Sequence, residues 1–289
     1  MAQILGTPHD IALGSTTVRY YESGPANGPV VVFVHGVLVN AQLWRKVVPT
    51  LAQRGLRCLA VDWPLGSHEI AAPRDADLTP PALAALIADF LDALDLHDVT
   101  IVANDTGGAL TQLVMTTRPE RVGRVVLTNC DCFERFFPPM FAPLIAMARV
   151  PGALWLLAQL MRPRFAQRLP IAYGWLAKVP IDDEVMRSYI GPARRDRAVR
   201  RDAARVLRGV DKRHTLAAAK SLPAFGKPVL LAWGREDRVF PLRYGEKLAA
   251  LLPQATLVPV DESYAFVPED RPDELARLVL EFVAAHAAA

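Results

Sequence analysis

Residues Val99 to Gly108, Val-Thr-Ile-Val-Ala-Asn-Asp-Thr-Gly-Gly, constrain this chain more than any other stretch. A run rich in β-branched residues ends abruptly in Asn104-Asp105-Thr106-Gly107-Gly108, and Ala109, Leu110 and Leu113 then begin a helical pattern. The order is strand, sharp turn, helix. A strand that turns straight into a helix holds its turn residue in a strained conformation at the top of a sheet, with small neighbours letting the backbone pass close by. Asp105 is the residue so displayed. The helix N-terminus favours its charged form, and the Thr106 N–H beside it is a candidate oxyanion donor. Asn and Asp are also ordinary helix N-caps. These residues alone therefore leave a plain cap and a displayed carboxylate both open.

The rest of the chain repeats the same rhythm. Ile11 to Gly14 and Thr17 to Tyr21 alternate as an antiparallel pair around Gly14-Ser15. The apolar run Val30 to Val34 reads as a strand buried on both faces, Arg57 to Val61 as another short buried strand, and Arg124 to Thr128, Val229 to Trp233 and Thr256 to Val260 as further strands. Between them, helical spacing covers Ala41 to Arg54, Pro80 to Leu94, Thr106 to Arg118, Tyr244 to Leu252 and Asp273 to Ala285. This alternation predicts a mostly parallel α/β sheet with helices on both faces. From 132 to 219 the strands stop, and helical stretches broken by prolines take over. The expected organisation is a core of 1–131 and 220–289 with an inserted helical lid, 132–219. The alanine-rich tail reads as a fraying helix end.

With 52% hydrophobic residues the chain can build a sizeable core. Its net charge of +3 gives no reason to expect a nucleic-acid or membrane partner. Three cysteines, and no basic and apolar regions of a signal peptide in Met1 to Pro8, point to a reducing cytoplasm. The most apolar region, Pro139 to Met161, is broken by Pro143, Arg149, Pro151 and Gly152. It is too interrupted to cross a bilayer and reads as buried helices.

Ligands of open parallel sheets bind beyond the carboxyl ends of the strands. His35, Asp62, Asp105, Asp131, Asp237 and the region of Tyr264 all follow predicted strands. With His35-Gly36 after one strand, Asn-Asp-Thr-Gly-Gly at the turn, Gly234-Arg235-Glu236-Asp237-Arg238-Val239-Phe240-Pro241 after another and Val267-Pro268-Glu269-Asp270-Arg271-Pro272 before the last helix, essentially the whole chain resembles an α/β-hydrolase. The resemblance implies an eight-stranded sheet. Asp105 in place of the usual Ser is similar to the haloalkane dehalogenase and epoxide hydrolase branch. There a carboxylate attacks an sp³ carbon and forms an ester that water later cleaves. The resemblance further implies that Asp237 is the acidic triad member, with Asp131, which otherwise reads as a cap or lid-hinge carboxylate, a second candidate, and that Val37 and Thr106 supply the oxyanion-hole N–H groups beside His35.

The departures are as informative. The family pattern places the catalytic His directly before Phe266-Val267-Pro268-Glu269, where this chain has Ala265. None of the six histidines takes that place by spacing; His68 reads as a solvated loop residue, with reach into the pocket as its alternative. Tyr264 is adjacent, but a phenol is a poor base at neutral pH. Dehalogenases grip the halide with an indole N–H after the nucleophile and a donor after His-Gly, and here those places hold Thr106 and Val37. Epoxide hydrolases carry a Pro after His-Gly, which this chain lacks, and lid tyrosines, for which Tyr173 and Tyr189 are available. Asn40 reads as a pocket donor or as the N-cap before Ala41.

The arginine run Arg194, Arg195, Arg197, Arg200, Arg201, Arg205, Arg208 reads as a solvated helix face. Cys130 and Cys132 lack the further ligands of a metal site, and Gly107-Gly108 lacks the Lys-Ser/Thr of a phosphate loop. No cofactor is expected. Three functions remain: a hydrolase with an Asp105 nucleophile; an isomerase, lyase or cyclase using Asp105 as acid or base with Tyr264, Tyr173 or Tyr189; and a non-catalytic binding protein. Trp155, Trp175 and the Leu- and Met-rich lid favour a small, largely hydrophobic substrate.

Overall fold

The Val99 run forms the centre of an eight-stranded sheet in the computed structural model, which describes residues 2–286. The strands are β1 Thr7–Leu13, β2 Thr16–Ser23, β3 Val30–Val34, β4 Arg57–Asp62, β5 Val99–Asp105, β6 Val122–Cys130, β7 Val229–Gly234 and β8 Ala255–Val260. They lie in the order β1-β2-β4-β3-β5-β6-β7-β8. β1 and β2 pair antiparallel through Leu13 and Thr16, β2 is antiparallel to β4, and the remaining pairs are parallel. Covered on both faces, β3, β5 and β7 are buried almost throughout. That is why their sequences read as continuous apolar runs rather than alternating ones. Each fully buried Val or Leu contributes roughly 2 kcal/mol of apolar burial, which fixes the sheet register and hence what stands at its edge.

Some expected elements take another form. The helix anticipated over Ala41 to Arg54 is a 3-10 turn, Ala41–Trp44, and a separate α-helix, Val48–Gln53. Pro49 stands in the first turn of the second, where its ring and missing N–H are tolerated as they would not be in a helix interior. The apolar region 139–161 is helical but not buried. Ala142–Met147 has no buried residue, and Ala153–Leu160 buries Ala158 alone. The alanine tail Ala287 to Ala289 lies outside the described residues.

The arginine run is only in part a solvated face: Arg195, Arg197 and Arg208 are exposed, while others turn inward. In the helix Arg197–Gly209, Arg201 donates to the carbonyl of Ala72 and Arg205 to those of Pro73 and Ala76. Between them Asp202 is fully buried, accepting from the Ala72 N–H at 2.8 Å and facing His68 Nε2 at 3.3 Å. His68 is therefore buried and not solvated. Its Nδ1 accepts the Gly66 N–H, so Nε2 carries the hydrogen given to Asp202. Burial pushes the Asp202 carboxyl up, but His68, Arg201 and Ala72 outweigh it and hold it below the ordinary carboxylate range.

Candidate active site

β5 delivers Asp105 to the carboxyl edge of the sheet, and the helix Thr106–Thr117 starts at the next residue. Asp105 has φ 56° and ψ −131°, a combination that costs a non-glycine residue energy and persists only where the surroundings enforce it. Gly36 and Gly107 do so. A Cβ at Gly36 would strike the Asp105 side chain, and one at Gly107 would strike the Val34 and His35 carbonyls. The loop after β3 thus closes on the turn. The cap and the displayed carboxylate prove to be one arrangement, since Asp105 Oδ1 accepts the Thr106 N–H at 2.5 Å and the Thr106 hydroxyl at 3.0 Å. Asp105 is 6% exposed. Burial raises its pKa against the pull of the Thr106 N–H, the Thr106 hydroxyl and the Val37 N–H.

The Thr106 hydroxyl also lies 3.1 Å from Asp131 Oδ2. Asp131 is fully buried, and its Oδ1 has no partner among the described residues. A hydroxyl has one hydrogen and two lone pairs. Placed between two carboxyl oxygens, it satisfies both contacts only if one carboxyl is protonated. Burial, and next the Asp105 charge, push Asp131 well above the usual carboxylate range. Both contacts are satisfied with a proton on Asp131 that is donated to Thr106, whose own hydrogen goes to Asp105.

Asp237, after β7, is held by the Asn129 amide at 2.7 Å, the Val239 N–H at 2.7 Å and the Phe240 N–H. Burial, the largest influence, outweighs these donors and lifts its pKa to about 7. No imidazole hydrogen-bonds to Asp105, Asp131 or Asp237 among the described residues. At the base position Ala265 is fully buried, its carbonyl taking the Asn104 amide at 2.8 Å. The neighbouring Phe266 N–H reaches the Leu176 carbonyl at 2.6 Å and Tyr264 N–H reaches Asp270, so this loop is tightly fixed.

The other expected residues divide. The His35 ring is buried, accepting the Trp63 N–H on Nε2 and facing the Gly36 carbonyl with Nδ1. Burial depresses its pKa to about 4. It shapes the loop and has no nitrogen left for a ligand. Asp62 caps Ala41 at 3.0 Å, and burial raises its pKa to about 7. Asn40 caps Gln42 and donates to the Ser188 carbonyl. Tyr173 and Tyr189 stack with centroids 6.0 Å apart. Tyr173 donates to the Leu38 carbonyl at 2.7 Å and feels the Asp105 charge, which adds to burial in raising its pKa. The Tyr189 hydroxyl is buried with no partner among the described residues. Tyr264 is half-buried, with the Arg238 guanidinium 5.9 Å from its ring centre and 5.7 Å from that of Trp175. The reading from sequence missed Asn129 and the buried pairing of His68 with Asp202. Asn129 carried a faint signal, a polar residue closing an apolar strand; the partner of His68 is 134 residues away.

The alpha/beta hydrolase fold family model matches residues 29–272. The haloalkane dehalogenase 2 of Mycobacterium tuberculosis is 27% identical over 269 residues, covering 91% of this chain and 90% of that protein. A cis-3-alkyl-4-alkyloxetan-2-one decarboxylase of Xanthomonas campestris is 27% identical over 287 residues, covering 92% of each. The solved haloalkane dehalogenase DbeA of Bradyrhizobium elkani superposes with a TM-score of 0.80 at 21% identity, over 96% of this chain and 98% of that one. The chain belongs to the alpha/beta hydrolase fold family and is related to the haloalkane dehalogenases.

Proposed function

We propose that the protein is a hydrolase-fold enzyme in which the Asp105 carboxylate attacks an sp³ carbon of a small, largely hydrophobic molecule and forms an alkyl ester. The observation that carries this is the strained turn, with Oδ1 held by the Thr106 N–H. With one oxygen fixed, Oδ2 is the oxygen left to attack. Attack moves charge off the carboxylate; when the ester is later cleaved, the Thr106 N–H stabilises the charge that develops on Oδ1, and the Val37 N–H also donates to this carboxyl. The raised pKa lowers the share of carboxylate at neutral pH but makes the anion a stronger nucleophile.

Release of the ester is where this chain departs from hydrolysis. Ala265 stands where a base would activate water, and a second reading follows from that absence. The curated relative from Xanthomonas campestris is named for a four-membered lactone. If Asp105 attacks the ring carbon that bears the ring oxygen, that C–O bond breaks and its electron pair becomes a free carboxylate. The bond from the adjacent carbon to this carboxylate then breaks. Its pair forms the alkene, CO2 leaves, and the ester C–O pair returns to Asp105. No water and no base are consumed. Asp131, through Thr106, supplies a hydrogen bond to the departing Asp105 carboxylate.

Intact-mass and peptide-mass measurements after exposure to small alkyl halides and epoxides test the nucleophile. A stable adduct on Asp105, absent in Asp105→Asn, is expected. Ala265→His should release that adduct by restoring a base. No adduct with any electrophile, together with unaltered behaviour in Asp105→Ala, would leave only the non-catalytic binding reading. Conversion of a cis-dialkyl β-lactone to alkene and CO2 by the unaltered chain, lost in Asp105→Asn, is the outcome expected of the second reading.

A further inference from the structure

Ten large apolar side chains are exposed among the described residues, and eight of them lie between 150 and 179. Trp155, Leu156, Leu160, Phe165 and Ile171 are each 48% to 74% exposed. Patches of this kind on one segment mark a surface that meets something. The charge pattern says what. From Phe136 to Ile181 there is no Asp or Glu, while Arg149, Arg162, Arg164, Arg168 and Lys178 are present. This stretch therefore carries +5 within a chain of net +3, leaving −2 for the remainder. Arg164 pairs with Asp183 and Lys178 with Glu236, but Arg149, Arg162 and Arg168 are exposed and form no ion pair among the described residues. The overall charge balance, which gave no reason to expect a membrane, averages this asymmetry away.

We propose that the 142–179 face of the helical segment docks on an anionic lipid surface. Exposed Leu, Phe and Trp side chains enter the boundary between headgroups and acyl chains, and flanking arginines lay their stems along it while their guanidinium groups meet lipid phosphates. A second copy of the chain is disfavoured as occupant, because a self-complementary contact across this face would oppose cation to cation. The described residues contain no helix long and apolar enough to cross a membrane, so the contact is peripheral. A cleft of about 320 Å³ lies on the same segment, lined in part by Arg164, Arg168 and Tyr173. Tyr173 also reaches the Leu38 carbonyl on the loop beside Asp105. A molecule dissolved in the lipid would thus meet the cleft mouth without passing through water.

Co-sedimentation with sucrose-loaded vesicles tests this without a substrate, and Asp105→Asn should behave as the unaltered chain because docking does not depend on chemistry. Sedimentation with phosphatidylcholine–phosphatidylglycerol vesicles is expected at least about tenfold above that with phosphatidylcholine alone, weakening as salt is raised. Trp155→Ser with Phe165→Ser should lower it about tenfold, and Arg149→Gln, Arg162→Gln, Arg168→Gln together should remove the preference for anionic lipid. Both variants change exposed side chains, and an unaltered melting curve would verify that they fold. Equal partitioning onto the two vesicle types, or variants that sediment as the original does, overturns the proposal. So would concentration-dependent dimers abolished by the apolar variant with no vesicle binding, which would assign the face to self-association.

Discussion

Thr106 carries a single hydroxyl hydrogen and stands between two buried carboxyl groups, so the charge state of Asp131 governs the chemistry available to Asp105. An ionised Asp131 would repel the Asp105 anion and hold its pKa high, and removing it would let that pKa fall. A neutral Asp131 exerts no such repulsion. Asp131→Asn keeps an uncharged donor facing Thr106, and the pH midpoint for alkylation of Asp105 should therefore stay within about half a unit of its original value. A drop well beyond that, read from the rate of mass-tagging against pH, would mean the proton is not on Asp131. Thr106→Val removes the bridge and should slow ester release more than ester formation, since the donor acts on a departing carboxylate. How much of this was legible in the sequence differs from residue to residue. Asp105 was readable because a strand running into a helix through Asn-Asp-Thr-Gly-Gly forces one side chain outward. The state of Asp131 was not, because it depends on a 3.1 Å contact across 25 residues of chain.

At the scale of elements, the sheet was legible and the helical segment was not, for one physical reason. A strand covered on both faces must be apolar whatever it packs against, so its sequence declares its environment. A helix declares only that it has an apolar side. What covers that side is set elsewhere, and Ala153–Leu160 leaves its side largely uncovered by this chain. The same limit hid the inward face of Arg197–Gly209, whose arginines read as solvated until the carbonyls of the 72–76 loop are seen opposite them. The tie at Asp202 follows from that packing. Asp202→Ala would leave a buried imidazole N–H and the Ala72 N–H without an acceptor. The expected loss is about 3 kcal/mol in urea unfolding, with faster proteolysis of the 132–219 segment. A loss of a few tenths of a kcal/mol would mean that apolar contacts along Val199, Ala203 and Val206 hold this helix in place unaided.

Over the whole molecule, the cluster of buried acids at one sheet edge couples stability to pH. Asp237 has a folded pKa of about 7 against an ordinary value of 3.8. Between those values the folded chain keeps a proton that the unfolded chain has released, so this group makes stability fall as pH rises through the window. Asp62, also raised to about 7, acts in the same direction. His35 acts oppositely between its depressed value of about 4 and its ordinary 6.5, because there the unfolded imidazole takes up a proton that the folded one refuses. Comparing the chain with Asp237→Asn cancels every contribution but one. On going from about pH 5 to about pH 7.5, the unfolding free energy of Asp237→Asn should fall by about 2 kcal/mol less than that of the original chain, whatever the variant's baseline stability. Urea unfolding at the two pH values measures it. Parallel pH profiles would mean that Asn129, Val239 and Phe240 keep Asp237 ionised in the fold, which would return it to the part of a permanent negative charge beside Asp105.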